Sequence, residues 1–176
     1  PAEALLKAAY ELDNRTAQAF SHSVLAYCAF HREQPALVIE HSLASRLLFL
    51  DLGLADEALN SELGELFGRF ESYTDAQALE HIDMLLAKVR ESRIATAECI
   101  LLFQRSLRLE RLGDLAKSLT NYEMLVLRAS TIGLTDFVEK GLYALARVDL
   151  QRANVAYAQL LARQQRDGNS WDFQEV

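Results

Sequence analysis

The chain has 176 residues, of which 51% are hydrophobic and 24% are charged, with only 7 Gly and 2 Pro. This balance excludes a disordered or collagen-like chain and favours a helix-rich globular domain. The net charge of −7 argues against direct binding to nucleic acid, because a phosphate backbone requires a basic surface.

Neither the membrane nor the secretory pathway is indicated by the sequence. No stretch reaches the roughly 18 uncharged apolar residues of a membrane span. The opening PAEALLKAAYELD is acidic and amphipathic, unlike a secretory signal. Cys28 and Cys99 lie in apolar stretches without CxxC spacing, so we interpret them as reduced, buried side chains. We therefore expect a cytoplasmic protein.

The spacing of apolar residues predicts α-helices along the whole chain. Leu59, Leu63, Leu66 and Phe70, for example, fall on one stripe of a helix. No run alternates with period two, so no strand is expected. The predicted helices cover residues 2–12, 14–31, 35–51, 54–71, 74–90, 94–112, 115–131, 134–151 and 155–166.

Residues that stop and start helices support these boundaries. Gly53 and Gly133 suit left-handed C-terminal caps. Gly113 likewise suits the end of one helix, and Asp114 suits the N-cap of the next. Thr74 begins a capping box, and Pro35 suits a first helical turn. The junction at residues 152–154 lacks glycine and proline. There we favour two helices, with Asn154 as the N-cap of the second, over one long helix.

The sequence repeats with a period of 40 residues without a gap. Glu40-His41 and Glu80-His81 are one instance, and other columns align Leu54, Ile94 and Leu134, or Leu63, Phe103 and Tyr143. A fixed period of this length indicates a repeat array. We predict helix pairs near 14–51, 54–90, 94–131 and 134–166 in a single domain of residues 1–167. Residues 168–176 are interpreted as a tail or truncated linker.

One unit of the array resembles a tetratricopeptide repeat. That family places a bulky, a small and an apolar residue on its first helix, a Gly-Asp turn, and then a small, an aromatic and a second small residue. These places hold Leu102, Ser106, Leu109, Gly113-Asp114, Ser118, Tyr122 and Leu125. Leu125 and Arg105 differ from the residues that are usual at these places in the family. The 40-residue period is also longer than the family's usual repeat length of about 34 residues.

The resemblance implies an all-α, right-handed superhelical solenoid of antiparallel helix pairs, here with about nine helices. It is similar to arrays in bacterial regulatory and signalling proteins. It also implies a groove lined by the first helix of each pair. We transfer the family's groove positions to the equivalent positions of each 40-residue repeat. The resulting candidate partner-binding residues are Tyr27, Phe30, Leu63, Phe67, Phe70, Phe103, Leu107, Arg111, Tyr143 and Arg147. The same stripe suits a helical core, so core and groove both remain open for the aromatic residues.

The histidines do not indicate a metal or catalytic site. His41 and His81 occupy equivalent places in successive repeats, and the column continues as Asn121 and Leu161, with no third ligand beside them. We interpret them as half-exposed polar residues of the outer helices. No phosphate-binding loop or nucleophile motif is found, so we expect no catalytic residue, metal or cofactor.

These observations predict a non-catalytic protein-interaction or sensory module. Its partner would be a peptide, a helix or a neighbouring domain, and Arg111 and Arg147 favour a peptide carrying an acidic group. The alternative is a small-ligand or peptide sensor that controls a fused output domain, and an enzyme ranks third. Since Val155, Leu160 and Leu161 would be uncovered on the last helix, we also expect a homodimer, through the C-terminal helices or the groove.

Overall fold

The computed structural model describes residues 2–167, which form eight α-helices and no strand. The predicted tail at 168–176 lies outside the described residues. The helices are α1 (Ala2–Glu11), α2 (Arg15–His31), α3 (Pro35–Asp51), α4 (Ala55–Arg69), α5 (Asp75–Glu91), α6 (Ala95–Arg111), α7 (Leu115–Thr131) and α8 (Thr135–Asp167). The all-α class predicted from the sequence is confirmed for this part of the chain.

The helices follow a rhythm of 20 residues, half of the period seen in the sequence. From α2 onward they begin at residues 15, 35, 55, 75, 95, 115 and 135. Each packs on its neighbours in chain order, and α2 also touches α4, as α6 touches α8. The connections are short, so consecutive helices run antiparallel. The 40-residue period therefore corresponds to one pair of helices.

The predicted helix ends are largely confirmed. Gly53, Gly113 and Gly133 have φ between 72° and 79°, a left-handed conformation that a residue without Cβ adopts at little cost. At Thr74 both bonds of the capping box are present: Oγ1 accepts from the Gln77 N–H, and the Gln77 Oε1 accepts from the Thr74 N–H. Local sequence therefore decides where these helices stop and start.

The prediction of two helices after residue 134 is wrong. Residues 135–167 form one helix of 33 residues, so the described chain has eight helices rather than about nine. Asn154 lies within this helix instead of capping a second one. Without Gly or Pro at residues 152–154, nothing in the backbone interrupts the helical hydrogen bonds.

The main hydrophobic core runs from α4 to α8. Tyr122, Leu125, Ile82 and Leu101 are fully buried in it. A smaller cluster joins α2, α3 and α4 around Phe49. Tyr122 lies where the tetratricopeptide resemblance places a buried aromatic residue.

The interface between α3 and α4 is built from small residues and is unusually close. A Cβ at Gly68 would lie 2.7 Å from Ile39 Cγ1 and 3.1 Å from the Pro35 carbonyl oxygen, and a Cβ at Gly64 would meet the Ser42 hydroxyl. The two glycines therefore allow the close approach of α3 and α4. By contrast, α4 approaches α5 much less closely. Leu63 and Leu66 of α4 belong to the same buried cluster as Ile82 of α5.

Candidate partner-binding cleft

A cleft between α2 and α4, with α3 as its floor, is the main candidate site. It contains a cavity of about 340 Å³, whose lining also includes Ile100 of α6. Its apolar lining consists of Ala26, Tyr27, Phe30, Val38, Leu63, Phe67 and Ile100. Its polar lining consists of Ser23, Ser42, Asn60 and Ser61. We call this site the aromatic cleft.

Three aromatic side chains form the outer wall of the aromatic cleft. Tyr27 is 66% exposed and Phe30 is 50% exposed, whereas Phe67 is half-buried. The Phe30 and Phe67 rings are 6.0 Å apart, so α2 and α4 each contribute one side of the wall. Apolar rings left open to solvent beside a cavity are characteristic of binding surfaces.

The floor of the aromatic cleft is supported by a cluster of serines that sequence reasoning missed. The Ser45 hydroxyl donates to the Ala19 carbonyl oxygen at 3.0 Å. It lies 2.6 Å from the Ser23 hydroxyl and 3.1 Å from that of Ser61, so one side chain links α2, α3 and α4. The regular spacing of small residues along α3 and α4 in the sequence could have indicated this close packing.

A second cavity of about 340 Å³ continues the aromatic cleft towards the turn between α2 and α3. It shares Phe30, Val38 and Phe67 with the first cavity. Two exposed carboxylates, Glu33 and Glu71, stand at its edge. This end of the site is therefore acidic.

The aromatic cleft unites only part of the predicted groove. Tyr27, Phe30, Leu63 and Phe67 line it together, although Leu63 is buried. The remaining candidates, which line neither of the two cavities, are Phe70, Phe103, Leu107, Arg111, Tyr143 and Arg147.

Among these remaining candidates, the aromatic residues differ in their surroundings. Phe70 lies under the guanidinium of Arg108, at 4.4 Å, and packs on the main core. Phe103 packs between Tyr122 and Phe137, with centroid distances of 6.1 and 6.3 Å. Tyr143 is 73% exposed on α8.

The two arginines expected to make a cationic end are both beside carboxylates. Arg147 binds the Glu110 carboxylate with both terminal nitrogens, at 2.5 and 2.7 Å. Arg111 lies 3.6 Å from Asp75. The charge of Arg147 is therefore offset by Glu110, whereas Arg111 is exposed and shares the Asp75 carboxylate with Arg108.

Two histidines meet in a way that their sequence spacing did not predict. Nδ1 of His22 lies 3.1 Å from Nδ1 of His41, and the Tyr10 hydroxyl lies 3.2 Å from Nε2 of His22. Burial and the neighbouring His41 lower the pKa of His22. His81, the repeat equivalent of His41, stacks on Tyr73 instead. Within residues 2–167 no group of three or more His, Cys, Asp or Glu side chains could hold a metal ion.

Another cavity, of about 610 Å³, lies between α5 and α7 over α6, and its charged side chains are paired with other residues of the protein. Arg105 binds Asp83 and Asn121, Arg90 binds Glu98, and Lys117 binds Asp114. Arg105 is one of the two residues that depart from the tetratricopeptide pattern, and here it bridges α5 and α7. Because these charged side chains pair with other side chains of the protein, we attribute them to helix packing and not to ligand binding.

Comparison with known protein families and with curated proteins finds no match for this chain. Among the described helices, none is sufficiently long and apolar to cross a membrane. Of the two free cysteines, Cys99 is buried, as expected, and Cys28 is half-buried. Burial raises the pKa of the Cys99 thiol.

Proposed function

We propose that this chain is a non-catalytic protein-interaction module, a divergent tetratricopeptide-like array of right-handed superhelical form. We further propose that it belongs to a bacterial regulatory or signalling protein of the cytoplasm. The observation that carries the interaction role is the aromatic cleft, where Tyr27 and Phe30 remain exposed beside a preformed cavity. Its lining has no carboxylate, imidazole or thiol, which supports binding rather than catalysis.

The partner we propose is a peptide segment or helix with an apolar anchor and a basic flank. The anchor would enter the aromatic cleft, whose lining carries no charged side chain. The basic flank would lie over Glu33 and Glu71 in the adjoining cavity, because opposite charges favour a fixed orientation of the partner. It differs from the acidic partner suggested by Arg111 and Arg147, which line neither of the two cavities.

Substitutions in the cleft wall test this function. Wild-type protein should enrich peptides from a random displayed library, and Tyr27→Ala should bind the enriched peptides at least tenfold more weakly, as buried aromatic anchors dominate such interfaces. Since Tyr27 is 66% exposed, its removal should leave the melting temperature nearly unchanged. Binding would be measured by calorimetry.

Tyr143→Ala is the matched control for Tyr27→Ala, because Tyr143 is 73% exposed and lies outside the cleft. It should bind the same peptides as tightly as the wild type. Equal losses in the two variants, or no enriched peptide that depends on Tyr27, would contradict the interaction role. Phe67→Ala is less informative alone, since Phe67 also packs on the main core.

The second candidate function is a ligand sensor that controls a fused output domain. A half-enclosed cavity of about 340 Å³ supports it, because this volume is within the range of small-molecule sites. A free small molecule that occupies the cleft in place of every enriched peptide would favour this candidate over the first.

We also propose a homodimer formed through the second half of α8. Val155 is 46% exposed and Leu150 is 65% exposed, in a stretch where every side chain described after Val148 is exposed. A helix without tertiary contacts is marginal in water, so a second copy would stabilise it. Val155→Glu should lower the sedimentation coefficient to that of a monomer. A wild-type protein that is monomeric at tens of micromolar would contradict the dimer.

A further inference from the structure

Ser42 differs from the other serines around the aromatic cleft. It is 2% exposed and lines the cavity, yet within residues 2–167 its hydroxyl makes no hydrogen bond to another residue. Ser45 and Ser61, which are also buried, both donate to main-chain carbonyl groups. Since the Ser42 Oγ is not one of the fully buried polar atoms that lack a partner, it can be reached from the cavity and is free to bond with an occupant.

Gly64 keeps the Ser42 hydroxyl accessible from the cavity. The first atom that a Cβ at Gly64 would meet is the Ser42 Oγ, at a distance no real contact permits. Gly64 itself lines the cleft. The absence of a side chain at this position therefore opens the cavity onto the hydroxyl.

The rest of the lining defines the chemistry of an occupant. Tyr27, Phe30 and Phe67 present rings, and Val38 and Leu63 present aliphatic surface. No charged residue lines this cavity, so an ionised group would lose its hydration without compensation. An uncharged ring with one hydrogen-bonding atom satisfies both the walls and the floor.

We infer that the aromatic cleft is an anchor pocket for a tryptophan or tyrosine side chain of a peptide partner. The ring packs against the faces that Phe30 and Phe67 turn to the cavity, and its N–H or O–H donates to the Ser42 Oγ. This inference rests on the proposed interaction role and adds the identity of the anchor. A phenylalanine side chain fills the same walls but leaves the Ser42 hydroxyl unpaired.

The test uses the N-acetyl amides of tryptophan, tyrosine and phenylalanine, titrated into the full chain and followed through the amide NMR signals of Ser42 and Gly64. The tryptophan and tyrosine amides should bind about three- to tenfold more tightly than the phenylalanine amide, the effect of one net hydrogen bond. In Ser42→Ala this preference should disappear, while the phenylalanine amide binds as before.

Ser42→Ala should fold normally, because its hydroxyl has no internal bond to lose. Ser106→Ala is the matched control: Ser106 is equally buried but lies on α6, where its hydroxyl donates to the Leu102 carbonyl oxygen. This control should keep the preference for tryptophan and tyrosine.

The outcomes separate this inference from the proposed function. Equal affinity for the three amides, or a preference that survives Ser42→Ala, overturns the hydrogen-bonded anchor. Peptides that bind through Tyr27 but contain neither tryptophan nor tyrosine overturn the anchor and leave the interaction role intact. If the amides bind but no peptide does, the ring does not come from a peptide partner. This outcome contradicts the interaction role as well.

Discussion

At the level of single residues, His22 attaches α1 to the helices that follow it. It lies between Tyr10 of α1 and His41 of α3, and the nearby Gln18 side chain donates to the Ala9 carbonyl oxygen at 3.2 Å. A hydrogen bond between two imidazole Nδ1 atoms requires that at least one of them carry no proton. The contact is therefore compatible with a neutral pair and incompatible with a doubly protonated one.

We predict that the stability of the α1–α3 region falls in acid. Burial and His41 lower the pKa of His22 below 6.5, whereas Glu40 opposes this shift. The unfolded chain therefore binds a proton more readily than the folded chain, so stability is complete above pH 6.5 and is lost as the pH falls through 6.5 towards the folded pKa. Melting temperatures at about pH 7.5 and about pH 5.5 measure this effect.

His22→Gln should reduce the acid-induced decrease in melting temperature. His81→Gln is the control, because His81 stacks on Tyr73 and not on another histidine. It should decline with pH as the wild type does. An identical decline in His22→Gln and wild type would show that His22 does not contribute.

At the level of helices, the packing of α3 on α4 determines the depth of the aromatic cleft. Glycines at residues 64 and 68 let the two helices approach, and the Ser45 hydroxyl joins them to α2. The pair of Arg46 and Glu65 adds a salt bridge along the same interface. Larger residues here would separate the helices and change the floor of the cleft.

We predict that Gly68→Ala destabilises the protein by about 1–3 kcal/mol, the usual effect of overpacking. The new Cβ would press on Ile39 Cγ1 and on the main chain of Pro35 and Ile39, and main chain within helices cannot easily move away. The gain in helix propensity, about 1 kcal/mol, offsets only part of this. Urea denaturation measures the free energy of unfolding.

Gly141→Ala is the matched control for Gly68→Ala. Its Cβ would meet only side chains of α7, with Val126 Cγ2 nearest at 2.6 Å. A side chain can shift where a backbone cannot, so Gly141→Ala should be less destabilising. If Gly68→Ala were as stable as wild type, close approach would not be the reason for this glycine.

At the level of the whole molecule, Tyr122 joins three helices of the main core. It is fully buried on α7 and packs on Phe103 of α6, and its hydroxyl donates to Glu110 at 3.4 Å. Glu110 in turn binds Arg147 of α8. Burial, with Glu110 as a further cause, raises the pKa of Tyr122 to about 12, so its hydroxyl keeps its proton at neutral pH.

We predict that Tyr122→Ala costs about 3–5 kcal/mol, because it leaves a large cavity in the core. In a chain where each helix rests on its neighbours, the damage should stay local. Hydrogen exchange should therefore accelerate in α6 and α7 before it does so in α2 and α3. Tyr122→Phe, which removes only the hydroxyl, should cost about 1 kcal/mol. A uniform increase of exchange along the chain would contradict a repeat array and favour one cooperative bundle.

Much of the helical framework could be predicted from residues that act locally. The stops at Gly53, Gly113 and Gly133 and the capping box at Thr74 depend on backbone geometry within a few residues, so the sequence alone determined them. The 40-residue period likewise reports the size of a helix pair. The error at Asn154 has a local cause too: asparagine is tolerated inside a helix, and no glycine or proline at residues 152–154 interrupts this one.

The cleft was only partly predictable, because it depends on which faces of distant helices meet. The tetratricopeptide resemblance placed Tyr27, Phe30 and Phe67 in a groove, but it placed Phe103 there too, and Phe103 packs against Phe137 beside the main core. The accessibility of the Ser42 hydroxyl could not be predicted, because it depends on Gly64, which faces it across the helix interface without a side chain. A side chain's partners across an interface depend on helix separations of a few ångströms, and these are settled by the tertiary structure.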